Sequence, residues 1–327
     1  MRDVHIALAL GSGAARGWAH IGVIKALQEM NLKVNIVGGT SIGSLVGAGF
    51  ACGRMDELET WVRSMGRWQV WNLLDFGLSS GGLVVGERVF NHAREQFGAT
   101  NIEDLEMTYG AVSTDLYTGR EIWLRHGDIF DASRASCAMP GLLSPARHDD
   151  RWLVDGGLVN PVPISLTRAL GADFVIAVHL NSQLNTRVGK NSTPRNMAPQ
   201  AESEKVATEV QAEQEQKVAD EHGFFQNIMS QSAHYWDEVK QKLSGPEHKS
   251  PGVFGVMAGA IDIMQERITK ARMAGDPPDV LIQPKLGHIG ILEFDRGNEA
   301  IDIGYETTIR MRDLIESEIE LFNDRVS

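Results

Sequence analysis

Two glycine-rich turns close to the start of the chain restrict its fold more than any other feature. Nine of the 34 glycines fall between positions 11 and 49 of 327 residues. One turn, Gly11–Gly17, follows an apolar run at Val4–Leu10, and the other, Gly38–Ser41, follows a second apolar run at Val34–Val37. The first turn leads into a stretch with the apolar spacing of a helix, and the second leads into Ile42–Cys52, a helical stretch rich in small residues. The succession of strand, helix, strand and helix predicts a parallel sheet covered by helices.

The later part of the chain extends this pattern. The segment Asp115–Gly119 has the composition of a hairpin turn, so the sheet should be mixed. We therefore expect an α/β fold, a three-layer α/β/α sandwich with a largely parallel central sheet. The further predicted strands are Tyr109–Ser113, Glu121–Leu124, Trp152–Val154, Phe174–Leu180 and Val280–Gln283, and the later predicted helices are about Gly252–Ala274 and about Asn298–Arg325.

Charge and cysteine content exclude several classes of function. The net charge of −12 argues against a nucleic-acid surface, which needs a basic stripe. Cys52 and Cys137 lie far apart without metal-ligand spacing, so neither a disulfide framework nor a metal site is indicated. The longest uncharged run, Val34–Gly53, is interrupted by polar residues and glycines, so it does not have the character of a membrane span. We expect a cytoplasmic protein with no metal and no cofactor.

The second turn contains a candidate nucleophile, Ser41, in the segment GTSIG at Gly39–Gly43. At a tight strand-to-helix turn a serine projects from the C-terminal edge of the sheet, and the flanking glycines Gly39 and Gly43 tolerate a strained backbone and close packing. The N-terminus of the following helix favours any negative charge that develops there. The alternative interpretation is a glycine turn in which Ser41 caps the helix.

The first turn can bind either a phosphate or an oxyanion, because its small residues leave backbone N–H groups uncovered. A dinucleotide site would need a glycine at position 16 and an acid at the end of the second strand, where this chain has Arg16 and Asn35. The nucleotide interpretation is therefore disfavoured. The candidate oxyanion-binding residues are Gly11, Ser12, Gly13, Ala14, Arg16 and Gly17.

A serine nucleophile needs a base, and the chain offers a carboxylate for this role. Ser41 comes too early for a Ser-His-Asp hydrolase of the α/β class, whose nucleophile follows several strands. Asp155 ends the apolar run Trp152–Val154 and precedes Gly156 and Gly157, which allow another backbone to come close. An ordinary Asp-Gly turn is the alternative interpretation of this segment.

In this order, the glycine loop, the serine turn and the Asp-Gly-Gly turn resemble the patatin-like phospholipases. The resemblance covers about residues 4–180 and 252–290. The family loop usually carries three glycines before x-Arg/Lys-Gly, where this chain has Ser12, Gly13 and Ala14, and we expect the amides of Gly13 and Ala14 to be the oxyanion donors. Further similar segments are Arg134-Ala135-Ser136 with Pro140 and Pro145, Gly171-Ala172-Asp173, and Arg272–Asp279, the last being similar to the bacterial RssA-type branch.

The resemblance implies a hydrolase of lipid esters with a Ser-Asp dyad. Ser41 would attack the ester carbonyl, Asp155 would take its proton, the loop amides would hold the oxyanion, and water would release the acyl-enzyme. Burial of Asp155 beside apolar neighbours would raise its pKa and make it a better base. The alternative, from another class, is a regulatory or scaffold protein with this fold and little turnover.

We expect one domain with an insertion. Residues 1–180 would form the patatin-like catalytic core, and helices and a strand in residues 251–327 would complete the same domain. Residues 181–250 would be a polar insertion, because from Asn181 the sequence loses periodicity before a helical pattern returns.

Three side-chain roles have two interpretations each. Asp115 is either a rival acid or, more simply, the residue that shapes the hairpin turn. Arg16 could bind an anionic head group or pair with a carboxylate. The tryptophans at positions 61, 68 and 71 could form a lipid-facing cap in peripheral contact with the inner face of the membrane, or pack in the core; they are Trp61, Trp68 and Trp71.

Overall fold

The computed structural model of the chain describes residues 4–66, 82–84, 87–98, 100–182 and 253–326. The chain divides into two compact units, Met1–Arg187 with Ile261–Ser327 and Val188–Ala260. The predicted insertion, 181–250, lies outside the described residues except for its first two positions. The predicted division into three parts therefore stays a prediction.

Ten strands and nine helices are present in the described residues. The strands are β1 Ile6–Leu10, β2 Ile36–Thr40, β3 Gly82–Val84, β4 Thr108–Asp115, β5 Glu121–Leu124, β6 Gly141–Leu143, β7 Ala146–His148, β8 Arg151–Asp155, β9 Phe174–Val178 and β10 Val280–Ile282. The helices are α1 Ala19–Glu29, α2 Ile42–Ala51, α3 Met55–Ser64, α4 Glu87–Phe97, α5 Ile129–Ser136, α6 Ile164–Ala169, α7 Val253–Gly275, α8 Gly297–Ile309 and α9 Arg312–Val326.

The central sheet is mixed, as the sequence predicted. Its strand order is β10-β9-β1-β2-β4-β8-β7, with β5 paired to β4 off this path. The strands from β10 to β4 run parallel, while β5 and β8 are antiparallel to β4, and β7 is antiparallel to β8. A separate parallel pair joins β3 to β6. The predicted α/β fold is confirmed.

Strands β1 and β9 are apolar on both faces because helices cover both faces of the sheet. In β1, Leu8 and Leu10 belong to the larger buried cluster, which includes side chains of α1, α2 and α8. The alternate residues Ala7 and Ala9 belong to a smaller cluster, which includes side chains of α6. Successive strand residues point to opposite faces, so one short run of sequence contributes to both cores.

Strands β2 and β8 share one edge of β4, and this arrangement determines where the chain can bring distant residues together. The backbone N–H of Thr108 donates to the residue before β2, and that of Leu116 donates to β8. The N–H of Asp115, an odd-numbered position, donates to the residue before β5 on the other edge. The N–H groups of successive strand residues point to opposite edges of the strand, so the even-numbered positions Thr108 and Leu116 face the same edge of β4. Strand β8 therefore pairs with β4 along the same edge as β2, beyond the point where β2 ends.

The C-terminal region differs from its prediction at one point. The single helix predicted over Asn298–Arg325 is two helices, α8 and α9. Helix α8 packs closely on α1, because a Cβ on Gly304 would lie 2.1 Å from the carbonyl oxygen of Ala19 and one on Gly22 would lie 1.9 Å from that of Ile301. Of the helices in the described ranges, none has the length and apolar character that crossing a bilayer requires.

Candidate active site

Ser41 lies in a strained turn between β2 and α2. Its backbone has φ 55° and ψ −129°, a combination that non-glycine residues rarely adopt. Hydrogen bonds on both sides of the peptide hold this conformation: the N–H of Ser41 donates to Ser136 Oγ at 2.8 Å, and Ser44 Oγ donates to the Ser41 carbonyl at 2.6 Å. Ser41 occupies the N-cap position of α2, but its side chain makes no capping hydrogen bond to that helix, so helix capping does not account for the serine side chain.

The glycines on either side of this turn allow close backbone packing. A Cβ on Gly39 would lie 2.4 Å from Ser44 Cα, and one on Gly43 would lie 2.2 Å from the carbonyl oxygen of Leu10. Real Cβ atoms do not approach backbone atoms this closely, so a side chain at either position would displace the turn or β1. Gly39 and Gly43 thus allow the serine turn to sit against the end of the neighbouring strand.

The Ser41 hydroxyl donates a hydrogen bond to Asp155 Oδ2 at 2.6 Å. Asp155 is 1% exposed, and its second oxygen, Oδ1, accepts the N–H of Gly157 at 2.7 Å. Burial raises the pKa of the Asp155 carboxyl to about 6, although the hydrogen bonds from Ser41 and Gly157 act in the opposite direction. A carboxylate with this pKa is a stronger base than a solvated aspartate and is still ionised at pH 7.

Only two of the three apolar residues that precede Asp155 are buried, fewer than the sequence predicted. Leu153 and Val154 are buried, but Trp152 is 40% exposed. Gly156 brings the acid turn against β4, since a Cβ there would lie 2.2 Å from the carbonyl oxygen of Val112. The expected close approach at the first glycine after the acid is therefore present.

In the part of the chain that the structure describes, two backbone amides of the glycine loop have no internal acceptor. Its residues Gly11 and Ser12 donate their N–H groups to main-chain carbonyls at 3.1 and 2.8 Å, and the N–H of Arg16 donates to the Gly13 carbonyl. Those three amides are engaged within the fold. Within the described part of the chain, the N–H groups of Gly13 and Ala14 have no acceptor. Ala14 has φ +48°, so the loop adopts a left-handed backbone where this chain lacks a glycine.

Two buried side chains, those of His20 and Arg16, hold the glycine loop in place by hydrogen bonds. His20 Nε2 is 2.7 Å from the Gly11 carbonyl, and burial lowers the pKa of His20 to about 4, so a neutral imidazole donates this hydrogen bond at pH 7. Gly17 packs on the serine-turn helix, because a Cβ there would lie 2.1 Å from the Ile42 side chain.

Arg16 is the second anchor, and it is directed into the protein. Its side chain is 3% exposed, and its guanidinium donates to the Ile289 carbonyl, to Asn181 Oδ1 and to Asp262 Oδ2. Of the two interpretations of Arg16, pairing with a carboxylate is the one observed. The head-group interpretation has no support in this arrangement.

Asp115 shapes the hairpin between β4 and β5. Its Oδ1 accepts the backbone N–H groups of Tyr117 and Thr118 at 3.0 and 2.9 Å, and Gly119 completes the turn at φ +66°. These hydrogen bonds lower the pKa of Asp115, whereas burial raises that of Asp155. The structural interpretation of Asp115 is therefore confirmed.

Trp61 packs against other rings in the described region. Its ring centroid lies 6.3 Å from that of Trp18 and 5.2 Å from that of His92. Trp68 and Trp71 lie outside the described residues. Membrane contact through these tryptophans stays a prediction.

Three residues that surround the site had no predicted role. Ser136 supports the serine turn, His20 anchors the glycine loop, and Gln265 of α7 contacts the same loop through Ser12. Ser136 lies in a segment that the resemblance included, but a lone buried Gln or His carries no pattern in sequence. No group of three or more His, Cys, Asp or Glu residues in the described ranges could hold a metal ion.

Comparison with known proteins gives one consistent set of similarities. Residues 8–168 match the family model described as patatin-like phospholipase. An uncharacterised NTE family protein of Mycobacterium tuberculosis is 34% identical over 320 residues, covering 91% of this chain and 89% of that protein. Human patatin-like phospholipase domain-containing protein 6 is 36% identical over 188 residues, and the Drosophila melanogaster neuropathy target esterase sws is 34% identical over 188 residues; these stretches cover 55% of this chain but 14% and 13% of those longer proteins.

Proposed function

Because this chain belongs to the patatin-like phospholipase family, we propose that its Ser41–Asp155 pair hydrolyses carboxylic esters of lipids through a covalent acyl-enzyme. Family membership makes the protein a lipid ester hydrolase; the dyad and the intermediate are the proposed part. The observation that carries them is the 2.6 Å hydrogen bond from the Ser41 hydroxyl to a buried carboxylate.

In the first half-reaction, Ser41 Oγ attacks the ester carbonyl carbon while Asp155 Oδ2 accepts the hydroxyl proton. The hydrogen bond already joins these two atoms, so little rearrangement precedes proton transfer. Collapse of the tetrahedral intermediate breaks the bond to the alcohol, which takes the proton from Asp155. General-base help of this kind contributes about 10²–10⁴ to the rate.

The negative charge of the intermediate would be held by the backbone N–H groups of Gly13 and Ala14. These donors are supported by the absence of an internal acceptor within the described residues and by their position at the end of β1, next to the end of β2 that leads to Ser41. Fixed amides need no reorganisation as charge develops, and loss of one such donor costs about 10²–10³ in rate.

In the second half-reaction, water takes the place of the alcohol. Asp155 removes a proton from the water as its oxygen attacks the acyl carbon of the Ser41 ester. Collapse then releases the carboxylic acid and returns the proton to Ser41 Oγ. The same carboxylate acts as base and then as acid in each half-reaction, for which a pKa of about 6 is well placed.

Two measurements test this function together. The wild type and Ser41→Ala would be assayed on a panel of phospholipids, lysophospholipids and neutral glycerides, and both would be treated with a fluorophosphonate ester that labels activated serines. We expect the wild type to be labelled and to hydrolyse at least one lipid class, and Ser41→Ala to do neither. Labelling without turnover of any lipid ester would favour a regulatory or scaffold protein with little turnover.

A further inference from the structure

Helix α7 presents a polar stripe to the protein interior. Asp262, Gln265, Glu266 and Thr269 are spaced i, i+3, i+4 and i+7, so they lie on one face of the helix. Gln265, Glu266 and Thr269 are buried. Buried polar side chains on a helix normally have specific partners, so the stripe requires an explanation beyond packing.

The partners of Gln265 are in the glycine loop. Ser12 Oγ donates to Gln265 Oε1 at 2.8 Å, and Asn181 Nδ2 donates to the same oxygen at 3.1 Å. Asn181 in turn accepts from the Arg16 guanidinium, which also contacts Asp262. Ser12 and Arg16 of the glycine loop are therefore both bound to one face of α7. Ser12 immediately precedes the two amides proposed as oxyanion donors.

The other end of the Gln265 carboxamide lies at the acid turn. Its Nε2 is 2.4 Å from the position that a Cβ on Gly157 would occupy, and Asp155 Oδ1 is 2.9 Å from the same position. The glycine at 157 thus leaves room for the carboxamide beside the carboxylate. Gln265 is 4% exposed, so its side chain is held in this gap.

We propose that Gln265 is a positioning residue that holds the glycine loop Gly11–Gly17 against the acid turn Asp155–Gly157, an inference that rests on the proposed function. The loop carries the oxyanion donors, and the acid turn carries the base. One side chain that contacts both sets the distance between them. Such a distance matters because a misplacement of about 1 Å can cost about 10²-fold in rate.

The first experiment is a double-mutant cycle of Gln265→Ala and Ser12→Ala. Activity would be measured on a water-soluble short-chain ester, so that binding to lipid aggregates does not affect the measured kcat and KM. We expect Gln265→Ala to lower kcat about 10- to 100-fold with KM changed less than about threefold, since the contact acts on the oxyanion donors rather than on substrate binding. The double variant should lose no more than the larger single loss, because both changes break one hydrogen bond.

The second experiment uses Gln265→Glu, which keeps an oxygen acceptor for Ser12 but adds a negative charge next to Asp155. A second carboxylate raises the pKa of its neighbour, so the midpoint of the acidic limb of kcat/KM should rise by about one pH unit. The other charges on this face are paired, Asp262 with Arg16 and Glu266 with His179 and Lys270. Cys137, at the end of α5, is the further titratable group that interacts with Asp155.

The matched control is Arg267→Ala, an exposed position two residues further along α7, which should leave kcat, KM and the pH midpoint unchanged. Additive losses in the cycle, or an unchanged midpoint in Gln265→Glu, would overturn the positioning role. Should Gln265→Ala fail to fold, the pH midpoint of Gln265→Glu decides alone. If wild type and Ser41→Ala have equal activity, the proposed function fails; if only Ser41→Ala is inactive and Gln265→Ala matches wild type, the positioning role alone fails.

Discussion

Ser113 of β4 lies directly opposite Asp155 of β8, on the edge of β4 that β2 occupies up to Thr40. Thr40 itself lies opposite Val112, the residue before Ser113. The residue that follows β2 and the residue that ends β8 therefore arrive at neighbouring positions along one strand. This is how a serine and an aspartate 114 residues apart come within hydrogen-bond distance.

The dyad predicts that Ser41→Ala and Asp155→Asn each reduce ester hydrolysis by at least about 10³-fold, since each removes a group that acts in both half-reactions. An asparagine at 155 removes a buried carboxyl whose raised pKa makes the ionised form unfavourable in the folded state. We therefore expect Asp155→Asn to leave the unfolding temperature at pH 7 unchanged or higher. Full activity in either variant would contradict the proposed mechanism.

The pH dependence of kcat/KM should have one acidic limb set by Asp155. The base must be ionised, and its pKa is raised to about 6, so activity should be half-maximal near pH 6 and fall about tenfold per unit below it. The measurement is kcat/KM on a soluble ester from pH 4 to 8, with circular dichroism at each pH to verify folding. A midpoint near pH 4 would show that burial does not perturb this carboxyl.

Gly43→Ala should destabilise the protein by about 3 kcal/mol, because its Cβ would lie 2.2 Å from the Leu10 carbonyl oxygen and one backbone segment must move. Gly259→Ala in α7 is the matched control, since no atom of the described residues lies within 4 Å of its Cβ position, and it should stabilise the protein by about 0.5–1 kcal/mol. Urea unfolding of both variants measures the difference. Equal stabilities would contradict the close packing of the serine turn.

Arg16→Met should lower the free energy of unfolding by about 3 kcal/mol, because it removes the buried guanidinium that donates to the Ile289 carbonyl, Asn181 and Asp262. It should not change the relative rates on anionic and zwitterionic lipid head groups, since the guanidinium is 3% exposed and directed inward. The two readouts are chemical unfolding and a comparison of phosphatidylglycerol with phosphatidylcholine hydrolysis. A selective loss on the anionic lipid would restore the head-group interpretation of Arg16.

The strands and helices around the two turns were predictable because their causes are local. The apolar runs of β1, β2 and β9 follow from burial on both faces of a parallel sheet, and β5 begins and ends where predicted. The hairpin at Asp115 was predictable from its turn residues. The break between α8 and α9 was not, since helical periodicity continues through it and packing of α8 on α1 is a tertiary contact.

The sequence by itself determined that Ser41 stands in a strand-to-helix turn, that glycines flank it, and that Asp155 ends a strand before two more glycines. Those features depend on backbone sterics within a few residues. Only the tertiary structure decided which amides of the glycine loop lack an acceptor among the described residues, that Arg16 is directed inward, and that Gln265 lies between the glycine loop and the acid turn. These are contacts between segments up to 273 residues apart, and the burial that raises the pKa of Asp155 is likewise a product of the whole fold.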